Sequence, residues 1–226
     1  MMHTRIVKHA ISINYEEMLT QQHEWRSDYP WFIKRIEGHR VLDLGYKAHA
    51  FFTMILLEYG FEVVGVDRAE ATSEADVRGE LFKHITADVR EIPEPTSSFS
   101  TIIAPSLLEH VGLGFYGENQ VNDSRIKAMG EWHRLLKEGG LLLAQLPYGK
   151  NPRIINFQGR PYYQTYTSDM IARDFGRFAI EDIAYHSYEP HGWIEVSKAV
   201  ADHMDHTTPF PPCLVKIMAR KQRDDY

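Results

Sequence analysis

The chain has 226 residues, 43% hydrophobic and 25% charged, which suits one substantial globular domain and excludes a disordered tail composition. A formal net charge of −6 excludes a global positive field that would gather phosphates, so no nucleic acid partner is expected. The single cysteine, Cys213, excludes an internal disulfide framework, and no secretory signal or apolar run near the roughly 20 residues of a bilayer span is present, so a cytoplasmic chain with no membrane partner is expected.

From the amino terminus, residues 15–36 carry Met18, Leu19, Trp25, Trp31, Phe32 and Ile36 among charged positions. The spacing predicts one or two amphipathic helices broken at Pro30, whose ring disfavours a helical Tyr29. Residues 1–38 would form a helical cap on a core of residues 39–150. In that core Val41–Leu44 reads as a strand ending at Gly45, and Ala50–Tyr59 as a helix closed by Gly60. Phe61–Val66 is a second strand stopping on Asp67, His84–Ala87 a third before Asp88, and Phe99–Ala104 a fourth bounded by Pro105. Val121–Lys137 has helical periodicity ended by Gly139 and Gly140, and Leu141–Leu146 is another buried strand. Such alternation predicts right-handed crossovers and a parallel sheet covered on both faces.

The last part, residues 151–226, reads differently. Ser168–Phe175 looks helical, Phe178–Tyr188 extended, and Pro212–Arg220 a late strand. The late strands would form an antiparallel hairpin at one edge, with Glu189–Pro211 between them irregular or only partly helical. No internal repeat is present, and the whole chain reads as a single α/β domain.

In an open α/β sheet, ligands sit where strands end and helices begin. A glycine-bearing turn after the first strand lets backbone approach a ligand closely, and the following helix amino terminus favours negative charge. Asp67, at the end of the second strand, can accept hydrogen bonds from both hydroxyls of a ribose. Asp88 stands where a third strand would end.

Taken in order, VLDLG, VGVDR, ADVREIP, FSTIIAPSLLEHV and LKEGGLLLAQLP resemble the succession in class I S-adenosylmethionine-dependent methyltransferases, over roughly Val41–Pro147. The stretch Glu109-His110-Val111-Gly112-Leu113-Gly114-Phe115-Tyr116-Gly117 is similar to an EHVGLGxYG segment in a bacterial group of methyltransferase-like proteins. The resemblance implies a Rossmann-like, mostly parallel seven-stranded sheet with an antiparallel edge hairpin, and S-adenosyl-L-methionine as cofactor. It places Asp43, Gly45, Tyr46 and Lys47 at the methionine end, Asp67 at the ribose, and Asp88 with Val89 at the adenine. Ser106 and Leu107, after the fourth strand, would flank the cofactor.

The glycine turn departs from the family pattern, keeping one glycine of three in Asp43-Leu44-Gly45-Tyr46-Lys47-Ala48-His49. A left-handed Lys47 would cost about 1–2 kcal/mol. Its ammonium about 5 Å from a sulfonium would add roughly 3 kcal/mol of repulsion, whereas turned to the cofactor carboxylate it would attract.

The acceptor side would be built by the loop after the fourth strand and by the late insertion. His110 is the first candidate general base, because its ordinary pKa lies near neutrality, and Glu109 would orient it or bind an acceptor hydroxyl. The same pair could serve only to cap or pack. Tyr116, Tyr148 and His191 are weaker candidates for the pocket wall. Asp202-His203-Met204-Asp205-His206 invites a metal reading but offers no further ligand set, so no metal is expected.

The leading expectation is methyl transfer to oxygen or nitrogen of a small-molecule acceptor, a sugar or a natural-product intermediate. The alternative is a non-catalytic binding or scaffold protein with an altered pocket. A nicotinamide-dependent oxidoreductase would need glycine at Lys47 and Ala50, and neither is present.

Overall fold

A computed structural model describes residues 24–70, 80–118 and 123–222, so the expected helical positions at 15–23 and 121–122 lie outside the described residues. The strands are β1 (Arg40–Leu44), β2 (Glu62–Asp67), β3 (Phe82–Thr86), β4 (Phe99–Pro105), β5 (Leu136–Pro147), β6 (Ile154–Phe157), β7 (Arg160–Gln164), β8 (Phe178–Glu189), β9 (Gly192–Val196) and β10 (Cys213–Lys221). The helices are α1 (Trp25–Ile33), α2 (Ala50–Glu58), α3 (Ser124–Leu135), α4 (Ser168–Asp174) and α5 (Lys198–Ala201).

One eight-stranded sheet runs in the order β3-β2-β1-β4-β5-β10-β8-β9, and β6 with β7 forms a separate hairpin. The first five strands of this order are parallel, while β10 is antiparallel to both β5 and β8, and β9 to β8. The sheet is mostly parallel with an antiparallel edge, as expected, but it holds eight strands rather than seven. The extra one is β9, carved from the insertion expected to be irregular. Its exposed and half-buried residues give no continuous apolar run, so only its pairing with β8 reveals it.

Alternate residues of the central strands feed two cores. Val41, Val63, Ile103 and Leu143 pack with α1 and α2, whereas Leu42, Leu44, Val64, Ile102 and Leu142 face α3 and the carboxyl-terminal elements. Each such side chain, withdrawn fully from water, stabilises the fold by about 1.5–3 kcal/mol. Burial on both faces is why these strands read as unbroken apolar runs.

α1 corrects an expectation, because it runs through Pro30 instead of breaking there. The exposed proline forgoes one helical N–H, but its neighbours Tyr29, Trp31 and Phe32 are buried. Tyr29 stacks on Phe52 with ring centroids 4.5 Å apart. The burial of three aromatics outweighs the local penalty. Likewise α3 ends at Leu135, before the two glycines, because fully buried Leu136 is drawn into register with Phe99 of β4. Gly139, at φ 70°, sits in the irregular stretch that follows before pairing resumes at Leu141.

After Gly45, itself left-handed at φ 68°, Tyr46–His49 form one 3₁₀ turn. Tyr46 turns away from the strand ends and lies beneath them, with Phe82 and His84 at 5.4 and 5.5 Å. A Cβ at Gly65 would stand 2.7 Å from the Tyr46 ring. Gly65→Ala is therefore expected to destabilise by about 1–3 kcal/mol, read as a lowered urea midpoint with unchanged slope. An unchanged midpoint would mean that Tyr46 is free to move aside. Among the described residues no helix is long and apolar enough to cross a membrane.

Candidate functional site

A cavity of about 680 Å³ opens at the carboxyl ends of β1 and β4, within the range of about 300–1,000 Å³ usual for small-molecule sites. Ala48 and His49 from the first turn, with Pro105 and Ser106 from the end of β4, form one side. Glu24 and Trp25 reach in from the start of α1. The opposite wall is aromatic: Tyr116, Tyr162, Tyr163, Tyr188, Trp193 and Phe210, drawn from the β4–α3 loop, β7, β8, β9 and the insertion.

The predicted cofactor residues fall into distinct situations. Asp43 is fully buried, with Oδ1 2.7 Å from His49 Nε2 and Oδ2 accepting from Thr53 Oγ1 at 2.7 Å. His49, standing where the family has glycine, therefore covers Asp43 and faces the cavity in its place. Asp67 is half-buried and receives the amide N–H of Ala69 at 2.9 Å and, weakly, that of Lys47 at 3.4 Å. No side-chain cation sits on it among the described ion pairs. Asp88 is engaged at four points: the amide, Nε and Nη2 of Arg90 at 2.9, 2.9 and 2.7 Å, and Nη1 of Arg68 at 3.1 Å. These use the roughly four lone-pair positions of a carboxylate. The Arg90 hydrogen bonds in particular hold the Asp88 pKa below its ordinary value.

Lys47 lies in the 3₁₀ turn, outside the left-handed region, so the expected backbone strain is absent, and its ammonium bonds the carbonyl of Glu70. Val89 packs against the larger core, and its carbonyl accepts from Trp132 Nε1 at 3.0 Å. Gly45 and Leu107 bring the ends of β1 and β4 together, since a Cβ on Gly45 would stand 3.1 Å from Leu107 Cδ1. Ser106 has φ 46°, an uncommon value for a side-chain-bearing residue. Its hydroxyl contacts both Glu24 Oε1 and Gln145 Oε1 at 3.0 Å.

The chemistry that a cofactor ribose would need is present at Asp67, which lies outside the lining of the cavity. That carboxylate is oriented by two backbone amides and retains acceptor capacity for a ribose diol. The first turn, with Ser106 across from it, supplies the adjoining cleft. Asp43 and Asp88 already serve partners of their own.

The catalytic candidates both line the cavity. Burial pushes the Glu109 carboxyl well above its ordinary range; its own backbone amide and Ser106 oppose this, while the Glu24 charge adds to it. Burial also pushes His110 down to about 4, against the opposing effect of the Tyr162 carbonyl, with Nδ1 2.6 Å from that oxygen. The group poised near neutrality is instead Glu24, whose pKa burial and the neighbouring Asp28 charge raise to about 7, against Ser106 and Lys216. Sequence reasoning missed Glu24, which is one acid among many in a charged segment.

Tyr148, expected at the wall, bonds Ser168 at 2.7 Å and Asp202 at 2.5 Å instead, and His191 is not in the lining. His206 Nε2 is taken by the Tyr148 carbonyl at 2.7 Å, and the described residues hold no cluster of three metal-ligating side chains. Cys213 is buried, its thiol pushed up to about 12 by burial.

Residues 42–144 match the family model described as a methyltransferase domain. No curated protein matches the sequence. Among solved structures, the chain is similar to the 1,6-didemethyltoxoflavin-N1-methyltransferase of Burkholderia thailandensis, solved with 1,6-didemethyltoxoflavin and S-adenosylhomocysteine, at TM-score 0.66 and 18% identity over 97% of this chain and 89% of that one. It is similar to a SAM-dependent methyltransferase of Methanosarcina mazei at TM-score 0.57 and 16% identity, over 85% and 97%. The [4+2]-cyclase SpnF also shares the fold, at TM-score 0.56 and 14% identity, over 85% and 79%.

Proposed function

We propose that this chain, whose residues 42–144 match the model of a methyltransferase domain, takes S-adenosylmethionine as its cofactor and methylates nitrogen or oxygen of a small, largely apolar and planar acceptor. The observation carrying this reading is the aromatic-walled cavity, which opens beside Ser106 and His49 and has Glu24 in its lining. A small-molecule acceptor suits both the cavity volume and the overall negative charge. The toxoflavin enzyme, whose fold covers nearly the whole chain, was solved with the small molecule 1,6-didemethyltoxoflavin.

When bound, the cofactor supplies an electrophilic methyl group on a sulfonium. Asp67 holds the ribose, the first turn and Ser106 line the cleft, and the aromatic wall excludes water and orients the acceptor. Glu24 takes the proton that the acceptor heteroatom sheds as its bond to carbon forms. His110, with its low proton affinity, acts as a hydrogen-bond acceptor rather than as the base first expected of it.

A base must be unprotonated to act, so turnover should rise with pH through about 7, the value set on Glu24 by burial and Asp28 against Ser106 and Lys216. In Glu24→Gln that rise should vanish and kcat fall by about 10²–10⁴-fold, while cofactor affinity stays near that of the parent. A profile unchanged by the substitution would remove Glu24 from this role. By linkage the sign for folding is opposite. The folded state holds the Glu24 proton more tightly than the unfolded chain, so this group's contribution to stability is lost as pH rises from about 4.5 through about 7.

A second reading, a binding protein without methyl transfer, is favoured by one observation, the closure of Asp43 by His49. Calorimetric titration with S-adenosylhomocysteine separates the two. Micromolar affinity supports the enzyme, and none at millimolar ligand supports the alternative.

A further inference from the structure

Two side chains in the cavity have hydrogen-bonding capacity left over. Glu109 is only 2% exposed, and its Oε2 has no hydrogen-bond partner among the described residues. An unmet buried polar atom costs about 1–3 kcal/mol, so one carried by a cavity-lining residue marks a place for a ligand group. His110 Nδ1 lies 2.6 Å from the Tyr162 carbonyl oxygen, a contact only an Nδ1–H can make. The ring is therefore the tautomer with a bare lone pair on Nε2. That nitrogen is 3.9 Å from Glu109 Oε1, beyond hydrogen-bond reach. The two groups stand side by side and leave each other unsatisfied.

Aromatic rings frame the gap. Tyr162 lies 4.8 Å from the His110 ring and Tyr116 5.5 Å, and both line the cavity. Burial favours the uncharged form of each polar group, raising Glu109 and lowering His110. An acidic O–H and a neutral nitrogen acceptor thus lie next to one another on an otherwise aromatic surface. A cationic ligand would find no formal charge on either, whereas a neutral group with one donor beside one acceptor would satisfy both.

We propose that Glu109 and His110 form a clamp for the edge of a planar cyclic amide or ureide. The ligand N–H donates to His110 Nε2, the adjacent carbonyl accepts from Glu109, and the ring lies against Tyr116 and Tyr162. The clamp orients a different heteroatom of the same ring toward Ser106 and Glu24. This rests on the reading of the cavity as the methyl-acceptor site.

The test uses the full chain saturated with S-adenosylhomocysteine, whose binding is first measured by calorimetry, with fragment affinities read by ligand-observed NMR. 2-Pyridone, which carries the adjacent N–H and carbonyl, is expected to bind at least about tenfold more tightly than N-methyl-2-pyridone, which lacks the donor. Glu109→Gln keeps a donor in place and should hold 2-pyridone within about threefold of the parent. Glu109→Leu should lose about tenfold for 2-pyridone and leave N-methyl-2-pyridone unchanged. Equal binding of the two pyridones would overturn the clamp. So would equal behaviour of the two variants, or tighter binding of benzylamine that strengthens with rising pH, which would mark Glu109 as an anionic site for amines. If the cofactor product binds and the pyridones show no preference, only the clamp falls. If the cofactor product does not bind, the acceptor-site reading falls with it.

Discussion

Asp67→Ala is expected to weaken S-adenosylhomocysteine binding by about ten- to a hundredfold in calorimetric titration. Its carboxylate keeps acceptor capacity beyond the two backbone amides it receives, and among the described residues no side-chain cation pairs with it. Removing an ionised acceptor from ligand hydroxyls costs about 1.5–3 kcal/mol, and each 1.4 kcal/mol is tenfold. Asp88→Asn provides the contrast. Asp88 already receives four hydrogen bonds from Arg90 and Arg68, so this change should alter cofactor affinity only a few-fold. Asp67→Ala binding as tightly as the parent would place the ribose elsewhere.

The largest stability effect is expected at Asp28. Its carboxylate meets Lys216 Nζ at 2.9 Å, both side chains being fully buried, and the same ammonium reaches Ser27 Oγ at 2.5 Å. The pair ties α1 to β10. Asp28→Ala strands a buried ammonium and should cost about 3–5 kcal/mol. For a domain of this size each kcal/mol lowers Tm by about 2–4 °C, so calorimetry should show a fall of roughly 6–20 °C. Replacing both partners, Asp28→Leu with Lys216→Met, should recover most of that loss, since no charge is left unpaired. A single substitution costing under about 1 kcal/mol would show that water reaches the ammonium. The same single variant should shift the pH dependence of turnover, because Asp28 and Lys216 act on Glu24 in opposite directions.

The central strands were legible because their physics is local. β1, β2 and β4 are buried on both faces and announce themselves as apolar runs ending in Gly45, Asp67 and Pro105. β9 and the β6–β7 hairpin were not, since their residues are largely exposed and only pairing defines them. The passage of α1 through Pro30 depends on Phe52, which no rule about proline contains. The position of Asp67 at a strand end was readable as well. The electrostatic state of His110 was not, because it is set by burial and by the carbonyl of Tyr162, 52 positions further along. Glu24 gains its character from burial and from the Asp28 charge, against Ser106, 82 positions away, and Lys216. His49 was visible as a departure from glycine, but its hydrogen bond to Asp43 emerges only in three dimensions.

The insertion between β8 and β10 leaves and re-enters the sheet at adjacent points, where the Tyr188 amide bonds the Pro212 carbonyl at 2.9 Å and Ser187 pairs with Cys213. Without it the two strands would still form an ordinary hairpin. Yet this excursion carries Trp193 and Phe210, part of the aromatic wall, whereas Asp67 and the first turn come from the other end of the sheet order. Lengthening such a loop costs little, about 0.6 kcal/mol per doubling. On the proposed reading, part of the acceptor wall is thereby encoded apart from the carboxylate that holds the ribose. A transplanted insertion of residues 190–211 should then carry part of the acceptor preference with it and leave cofactor affinity unchanged.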